Sequence, residues 1–224
     1  MKNKNNSILL QKSSLFAGLS EDEIEKLCTC LAARERIITK DSFVFRADDE
    51  IRSVFLILSG SMHIVDEDFW GNRSIIETMP TYTLFGEAYA LASVEKYLVG
   101  VVAAEDATVL EIDPARLFGT CSNDCSCHID LIKNTMRILS EKIVRLTEKL
   151  GHIAQRSTRE KILSYLSNCA RQEQGSSFHI PYSRQQLADY LCVDRSALSH
   201  ELSRMCKAGI IRYNKNHFEL LAKP

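Results

Sequence analysis

The sequence is poor in the residues that interrupt regular structure. Its 224 residues include nine glycines, four prolines and one tryptophan. Collagen-like, low-complexity and disordered chains differ from this composition, which has 45% hydrophobic residues and a net charge of −1. The chain also lacks an apolar run approaching the roughly 18 residues of a membrane span. These absences leave an ordinary folded protein of one to two domains.

A secretory signal is absent from the N-terminal stretch. The opening MKNKNNSILLQKSS holds an apolar patch of three residues, whereas a signal peptide needs roughly seven or more, followed by a small-residue cleavage site. We therefore expect the protein in the cytoplasm. Its eight cysteines are then not expected to form a disulfide framework.

Charge is unevenly distributed along the chain. Residues 156–224 contain 11 Lys and Arg against 6 Asp and Glu, a net charge of +5. Residues 1–155 contain 17 against 23, a net charge of −6. A basic C-terminal third favours a polyanionic partner such as nucleic acid.

Turn residues and apolar runs predict an antiparallel β domain in the first half of the chain. Ser20 and Glu23 form a capping box, which begins a helix. Short runs rich in Val, Ile, Phe and Thr follow and are separated by glycine turns, which is typical of a sandwich or barrel. The predicted strands are residues 43–45, 54–58, 63–65, 74–79, 98–102 and 108–112.

A long helix with a narrow apolar stripe follows the β domain. Its apolar residues recur at alternating spacings of three and four, and they are Ile129, Ile132, Met136, Leu139, Ile143, Leu146, Leu150 and Ile153. A heptad stripe of this width fits a partner helix. The alternative is a helix that lies on its own β domain. We expect a parallel two-helix dimer seam, and these eight residues are named the seam below.

A helical second domain is predicted from about residue 155. Ser157 with Glu160 and Ser183 with Gln186 form two further capping boxes. The second box opens a short helix that ends in a three-residue turn, after which Asp194 caps a longer helix. Helix, short turn and helix form a DNA-reading unit.

The candidate DNA contacts lie on the polar face of that longer helix, at the start of the shorter helix and in a turn that follows. The apolar face consists of Leu198, Leu202, Met205 and Cys206. Residues 210–220 then alternate around a polar turn, which predicts a hairpin wing with Lys215 at its tip, available to backbone phosphates. The candidate DNA-binding residues are Ser183, Arg184, Gln185, Arg195, Ser196, Ser199, His200 and Lys215.

Together these motifs resemble the CRP/FNR family of bacterial transcription regulators over nearly the whole chain. The resemblance is carried by the long heptad helix and by Leu-Phe-Ala-Gly-Leu-Ser at 15–20, Ile-Leu-Ser-Gly-Ser at 57–61, Gly-Asn-Arg at 71–73, Phe-Gly-Glu at 85–87, Ser-Arg-Gln-Gln-Leu-Ala at 183–188 and Arg-Ser-Ala-Leu-Ser-His-Glu-Leu at 195–202. It implies a regulator rather than an enzyme. It also implies a two-fold symmetric dimer on pseudo-palindromic double-stranded DNA, with RNA polymerase as a further partner.

The fold that this resemblance implies is α+β. An N-terminal antiparallel β-roll, which is a double-stranded β-helix of jelly-roll type, binds an effector over residues 1–120. A dimerisation helix and linker follow over residues 121–154. A winged helix-turn-helix over residues 155–224 binds DNA.

Two departures from the family pattern affect specificity. Family members often read G·C pairs with a Glu and an Arg where this chain has Ser196 and His200, so the usual half-site is not expected. Cyclic-nucleotide binders hold the cyclic phosphate with an Arg-Ser pair, where this chain has Tyr97 and Leu98, ten and eleven residues after Glu87. A buried phosphodiester needs a guanidinium and hydroxyl or backbone donors. Cyclic AMP is therefore not the expected effector.

An uncharged or aromatic effector suits these positions better. Glu87 either accepts a hydroxyl of that ligand or ties down the turn at Gly86. The candidate effector-binding residues are Gly86, Glu87, Tyr97, Leu98 and Arg137.

The cysteines leave a second hypothesis open. Three cysteines lie on predicted apolar helix faces, where we expect them to be small core residues. They are Cys28, Cys169 and Cys206. A cluster of soft ligands consists of Cys121, Cys125, Cys127 and His128, which could hold zinc or an iron–sulfur cluster or form a redox pair. Its spacing differs from the oxygen-sensing branch of the family, so we expect a structural role. The alternatives are a thiol-based redox or metal-sensing regulator and a thiol enzyme.

Overall fold

The computed structural model describes residues 8–68, 70, 73–92, 94–119 and 126–221. Two compact units divide the chain, Met1–Ser140 and Glu141–Pro224, and their boundary lies within one long helix. Within the described ranges no helix is long and apolar enough to cross a membrane.

The first unit contains two antiparallel sheets, as the strand pattern predicts. Its strands are β1 (Arg34–Ile38), β2 (Phe43–Phe45), β3 (Val54–Ser59), β4 (Met62–Glu67), β5 (Arg73–Met79), β6 (Leu84–Phe85), β7 (Gly100–Ala103) and β8 (Ala107–Ile112). One sheet has the order β1-β8-β3-β6 and the other β2-β7-β4-β5. The turn between β3 and β4 requires Gly60, since its φ is +77° and a Cβ there would lie 2.7 Å from the Asp106 carbonyl oxygen.

Helices cover one face of the first sheet. The helical elements of this part of the chain are a 3-10 turn (Ser14–Phe16), α1 (Glu21–Cys30), α2 (Glu87–Leu91), α3 (Pro114–Phe118) and α4 (Ser126–Ile153). The predicted capping box of α1 is confirmed: the Ser20 N–H donates to Glu23 over 2.8 Å, and the Glu23 N–H donates to the Ser20 hydroxyl over 3.4 Å.

Strand β3 is apolar on both of its faces because it separates two cores. Val54 and Leu56 pack with the helices, whereas Phe55 and Ile57 pack between the two sheets. A strand buried on both sides is a continuous apolar run rather than an alternating one.

The second unit is a small helical domain with a three-stranded sheet. After the end of α4, its elements are α5 (Thr158–Gln172), β9 (Ser177–His179), α6 (Arg184–Tyr190), α7 (Arg195–Lys207), β10 (Ile211–Asn214) and β11 (His217–Leu220). The sheet order is β10-β11-β9. The capping boxes predicted for α5 and α6 are both present. Strand β9 was not predicted from the sequence, and Phe178 in it pairs with Phe218 of β11 in the core.

Candidate nucleic-acid interface and effector pocket

Helix α7 begins at a strong N-cap. The Asp194 carboxylate accepts hydrogen bonds from the N–H groups of Ser196 over 2.8 Å and Ala197 over 3.1 Å. The Ser196 hydroxyl also donates to Asp194, and these bonds lower the pKa of that carboxyl. These bonds fix the backbone of the first turn of α7, and they thereby fix where its exposed side chains leave the helix.

Three of the four residues predicted for the apolar face of α7 are buried. Leu198, Leu202 and Met205 are fully buried. Cys206 was expected among them and is exposed, because it lies in the last turn of the helix and leads directly to the exposed Lys207. The prediction that Cys206 is a core residue is therefore wrong.

The opposite face of α7 is exposed along its N-terminal half. The exposed side chains are Arg195, Ser196, Ser199 and His200. The Arg195 side chain is exposed, and its guanidinium forms no hydrogen bond or ion pair with any described residue, so its N–H donors are available to a ligand. This face combines one free guanidinium with short hydroxyl side chains, which lets the helix approach a groove closely.

Arg184 joins α6 to the β10–β11 hairpin. Its guanidinium donates to the Lys215 carbonyl oxygen over 3.0 Å and lies over the Tyr213 ring, 4.9 Å from the centroid. Burial lowers the pKa of Arg184. Arg184 therefore holds the hairpin in place, while neighbouring Gln185 donates to Asp189 over 2.8 Å.

Lys215 lies at the tip of the hairpin, as predicted. Its φ is +53°, and its side chain is exposed. The turn is held by the Asn216 side-chain amide, which donates to the Ile180 carbonyl oxygen over 3.2 Å. The ammonium is therefore presented on a fixed loop.

Two features of this domain escaped sequence reasoning. One is β9, whose alternation of exposed Ser177, buried Phe178 and exposed His179 was the available signal. The other is Glu201 on α7, which is buried and pairs with Arg204 over 3.2 Å and with Arg159 of α5 over 3.7 Å. No local sequence pattern predicts the pair of Glu201 with Arg159, because the two residues are distant in the sequence.

Tyr97 fills the space between the sheets where the resemblance implies a phosphate-binding arginine. Its ring stacks on Phe45 with centroids 3.7 Å apart, and it meets Tyr89 edge-on at 5.4 Å. Its hydroxyl donates to the Ser53 carbonyl oxygen over 3.0 Å. Burial raises the pKa of Tyr97 to about 12. The side chain is therefore neutral at pH 7 and its single donor is occupied.

The other candidate effector residues lie in different surroundings. Gly86 has a φ of +83°, and a Cβ there would lie 3.8 Å from the Tyr97 hydroxyl. Glu87 begins α2 and is 1% exposed. Leu98 is 71% exposed, and Arg137 donates to the Ser14 carbonyl oxygen over 3.4 Å. Gly86 and Tyr97 thus lie together, whereas Leu98 points to solvent.

A cavity of about 290 Å³ adjoins this aromatic cluster. It is lined by Val44, Phe45, Asp49, Glu50, Arg52, Ser53, Phe55, Tyr97 and Glu111. Arg52 donates to Glu50 over 2.7 Å, and the Ser53 hydroxyl donates to Glu111 over 2.7 Å. The one guanidinium of the lining is thus paired.

Helix α4 carries two stripes on different sides. The first consists of buried residues of its first half, which are Cys127, His128, Leu131, Asn134, Thr135 and Ile138. The Asn134 amide donates to the carbonyl oxygens of Leu15 over 3.1 Å and Ala17 over 2.9 Å. The second stripe is the seam, in which Ile129, Met136, Ile143, Leu146 and Leu150 are 57–63% exposed.

The cysteines of the predicted soft-ligand cluster are only partly described. Cys121 and Cys125 lie outside the described residues, and Cys127 is buried. Among the residues that the structure describes, no group of three or more His, Cys, Asp or Glu could hold a metal ion. Cys28 is buried as expected, which raises the pKa of its thiol to about 11, and Cys169 is half-buried.

Two family models match the chain. The cyclic nucleotide-binding domain matches residues 35–124, and the Crp-like helix-turn-helix domain matches residues 160–223. The chain is 23% identical to Transcriptional regulatory protein btr of Bordetella pertussis, over 97% of this chain and 89% of that protein. It is 26% identical to Transcriptional activator protein anr of Pseudomonas aeruginosa, over 86% of this chain and 75% of that protein. Both relatives are transcription regulators by name.

Solved structures share the fold. CprK complexed with OCPA superposes with a TM-score of 0.65 at 17% identity, covering 88% of this chain and 89% of that one. CLP, a c-di-GMP-responsive global regulator of Xanthomonas campestris, superposes with a TM-score of 0.59 at 18% identity, covering 91% of this chain and all of that one.

Proposed function

Because the chain belongs to the CRP/FNR family of DNA-binding transcription regulators, we propose that it acts as a homodimer on pseudo-palindromic DNA under the control of a small effector other than cyclic AMP. The free Arg195 guanidinium on the exposed face of α7 carries the DNA-binding part of this proposal. The N-terminal residues of a recognition helix are those that reach base edges in the major groove.

The exposed seam supports the homodimer. Side chains such as Ile143 and Leu150 are 62% and 60% exposed in a single chain, and such a row of apolar residues favours burial against an identical helix. A two-fold dimer presents two recognition helices, which predicts half-sites about one helical turn, ~34 Å, apart. We also expect RNA polymerase as a partner.

Selection of DNA from a pool of random duplexes tests the proposed function. The purified protein should enrich an inverted repeat with the half-site spacing given above. Enrichment of a single unrepeated half-site would contradict the dimer, and enrichment of no sequence would contradict specific DNA binding.

We expect that neither cyclic AMP nor cyclic GMP binds between the sheets. The anionic phosphodiester would lose water at a cost of several kcal/mol, on the order of an uncompensated buried polar group. Tyr97 offers no positive charge, and its hydroxyl is already bonded to Ser53. An uncharged or aromatic molecule fits the stacked rings of Phe45 and Tyr97 better.

Calorimetry with both nucleotides checks this prediction. The expected result is no saturable heat at micromolar concentrations. Micromolar binding of either nucleotide, abolished by Glu87→Ala, would overturn it, because a different cation would then have to complete the site.

We expect no chromophoric metal at the cysteine cluster, since its spacing matches neither a zinc ribbon nor the oxygen-sensing branch of the family. Protein isolated without oxygen should show no thiolate-to-iron absorption. Such absorption, lost in a double variant with Cys121→Ser and Cys125→Ser, would contradict the prediction. Thiol-based redox sensing through these residues stays the alternative.

A further inference from the structure

The turn between α6 and α7 is closed by a Schellman motif. The N–H of Val193 donates to the Ala188 carbonyl oxygen over 3.0 Å, and the N–H of Cys192 donates to the Asp189 carbonyl oxygen over 3.2 Å. Cys192 has a φ of +51° and takes the left-handed position of the motif. The motif satisfies those two carbonyls and leaves the carbonyls of Leu191 and Cys192 without a donor from the turn itself.

A side chain from a third helix reaches these two carbonyls. Lys161 lies in the first turns of α5, and its ammonium donates to the Leu191 oxygen over 3.2 Å and to the Cys192 oxygen over 3.4 Å. A cation at the C-terminal end of α6 also interacts favourably with the helix dipole. The backbone of the turn is thus held by a charged group from outside the helix-turn-helix.

The same end of α5 contacts α7 at a second point. Arg159, two residues before Lys161, pairs with the buried Glu201 over 3.7 Å. The start of α7 follows the turn directly, because Asp194 caps it. Loss of the Lys161 contact would therefore free the turn backbone at Cys192, two residues before the N-cap of the recognition helix.

We propose that Lys161 is a positioning residue for DNA recognition, which acts by fixing the backbone of the α6–α7 turn and thereby the direction of α7. This inference rests on the proposed DNA-binding function. It differs from a direct phosphate contact, because the Lys161 ammonium is engaged by backbone oxygens of its own chain.

The test compares the full-length parent with Lys161→Met, Lys161→Arg and a control, Arg171→Gln. Arg171 lies in the last turn of the same helix and bonds to Asn168 of that helix, so its loss removes one charge without touching the turn. Dissociation constants are measured for a duplex that the parent selects and for a random duplex, over a range of salt concentrations. The ratio of the two constants is unaffected by any inactive fraction, since that fraction lowers both apparent affinities alike.

Lys161→Met should weaken binding to the selected duplex about tenfold, comparable to one mismatched base pair, and should change binding to random DNA much less. The salt dependence on random DNA should stay parental. Lys161→Arg keeps the charge and the donors and should restore most of the ratio. Arg171→Gln should keep the parental ratio.

Two results would overturn the inference. A salt slope that falls by about one on both duplexes would assign Lys161 to a phosphate. If Lys161→Met keeps the parental ratio of the two dissociation constants, DNA recognition does not depend on the contact between Lys161 and the turn. If the parent itself selects no sequence, the proposed function fails, and that failure is distinct from either of these results.

Discussion

Replacing Ile143 with aspartate is expected to convert the proposed dimer into a monomer, so that the molecular mass measured by analytical ultracentrifugation falls to half of the parent's. Ile143 lies in the middle of the seam and is 62% exposed in the single chain. Each Å² of apolar surface buried by a partner helix contributes about 25 cal/mol. A carboxylate at this position would lose its water without gaining a partner, and two of them would face each other across the two-fold axis.

Val144→Asp is the matched control. Val144 is the next residue of the same helix and is 58% exposed, but it lies about 100° further around the helix axis and outside the seam. It should sediment as the parent does. If Ile143→Asp also sediments as the parent, the seam is not the interface between subunits.

Arg195→Ala is expected to cost about 1–3 kcal/mol on a selected duplex and much less on random DNA. The guanidinium is exposed and unbonded among the described residues, at the end of α7 that would enter the groove. Direct readout of a base edge would explain such a loss, because a bidentate arginine discriminates between bases. Competition binding with labelled selected and random duplexes measures both values.

Two lysine variants serve as controls for Arg195→Ala. Lys215→Ala should weaken binding to all sequences alike and lower the salt slope by about one, as expected for a phosphate contact. Lys207→Ala removes the same charge from the C-terminal turn of α7 and should leave the discrimination between sequences intact. Equal losses on both duplexes for Arg195→Ala would remove Arg195 from direct readout.

Local signals made much of the fold predictable. The capping boxes at Ser20, Ser157 and Ser183 each depend on residues three apart in the sequence, and all three are present. Strand β9 was missed because a three-residue strand carries little periodicity of its own. It exists through its pairing with β11.

The candidate site was predictable only in part, because several of its contacts join distant parts of the chain. The sequence predicts that α7 exposes Arg195. It contains no signal that Arg184 would bond to the Lys215 carbonyl, 31 residues away. Tyr97 and Leu98 are neighbours in the sequence, yet one is buried and the other is 71% exposed. Which of them faces the core was settled by stacking against Phe45, a tertiary contact.

The two stripes of α4 have a consequence for how such a regulator can diverge. They share no residue, since Leu131 and Ile138 serve the sensor core while Met136 and Ile143 belong to the seam. In the proposed dimer, a substitution in the seam therefore changes the free energy of self-association directly, and it affects the sensor's melting temperature only through the loss of the dimer. A substitution in the buried stripe instead lowers the stability of the sensor core itself. Different residues of one helix would thus set the proposed subunit affinity and the packing of the sensor core, so that mutations could alter each of them at separate positions.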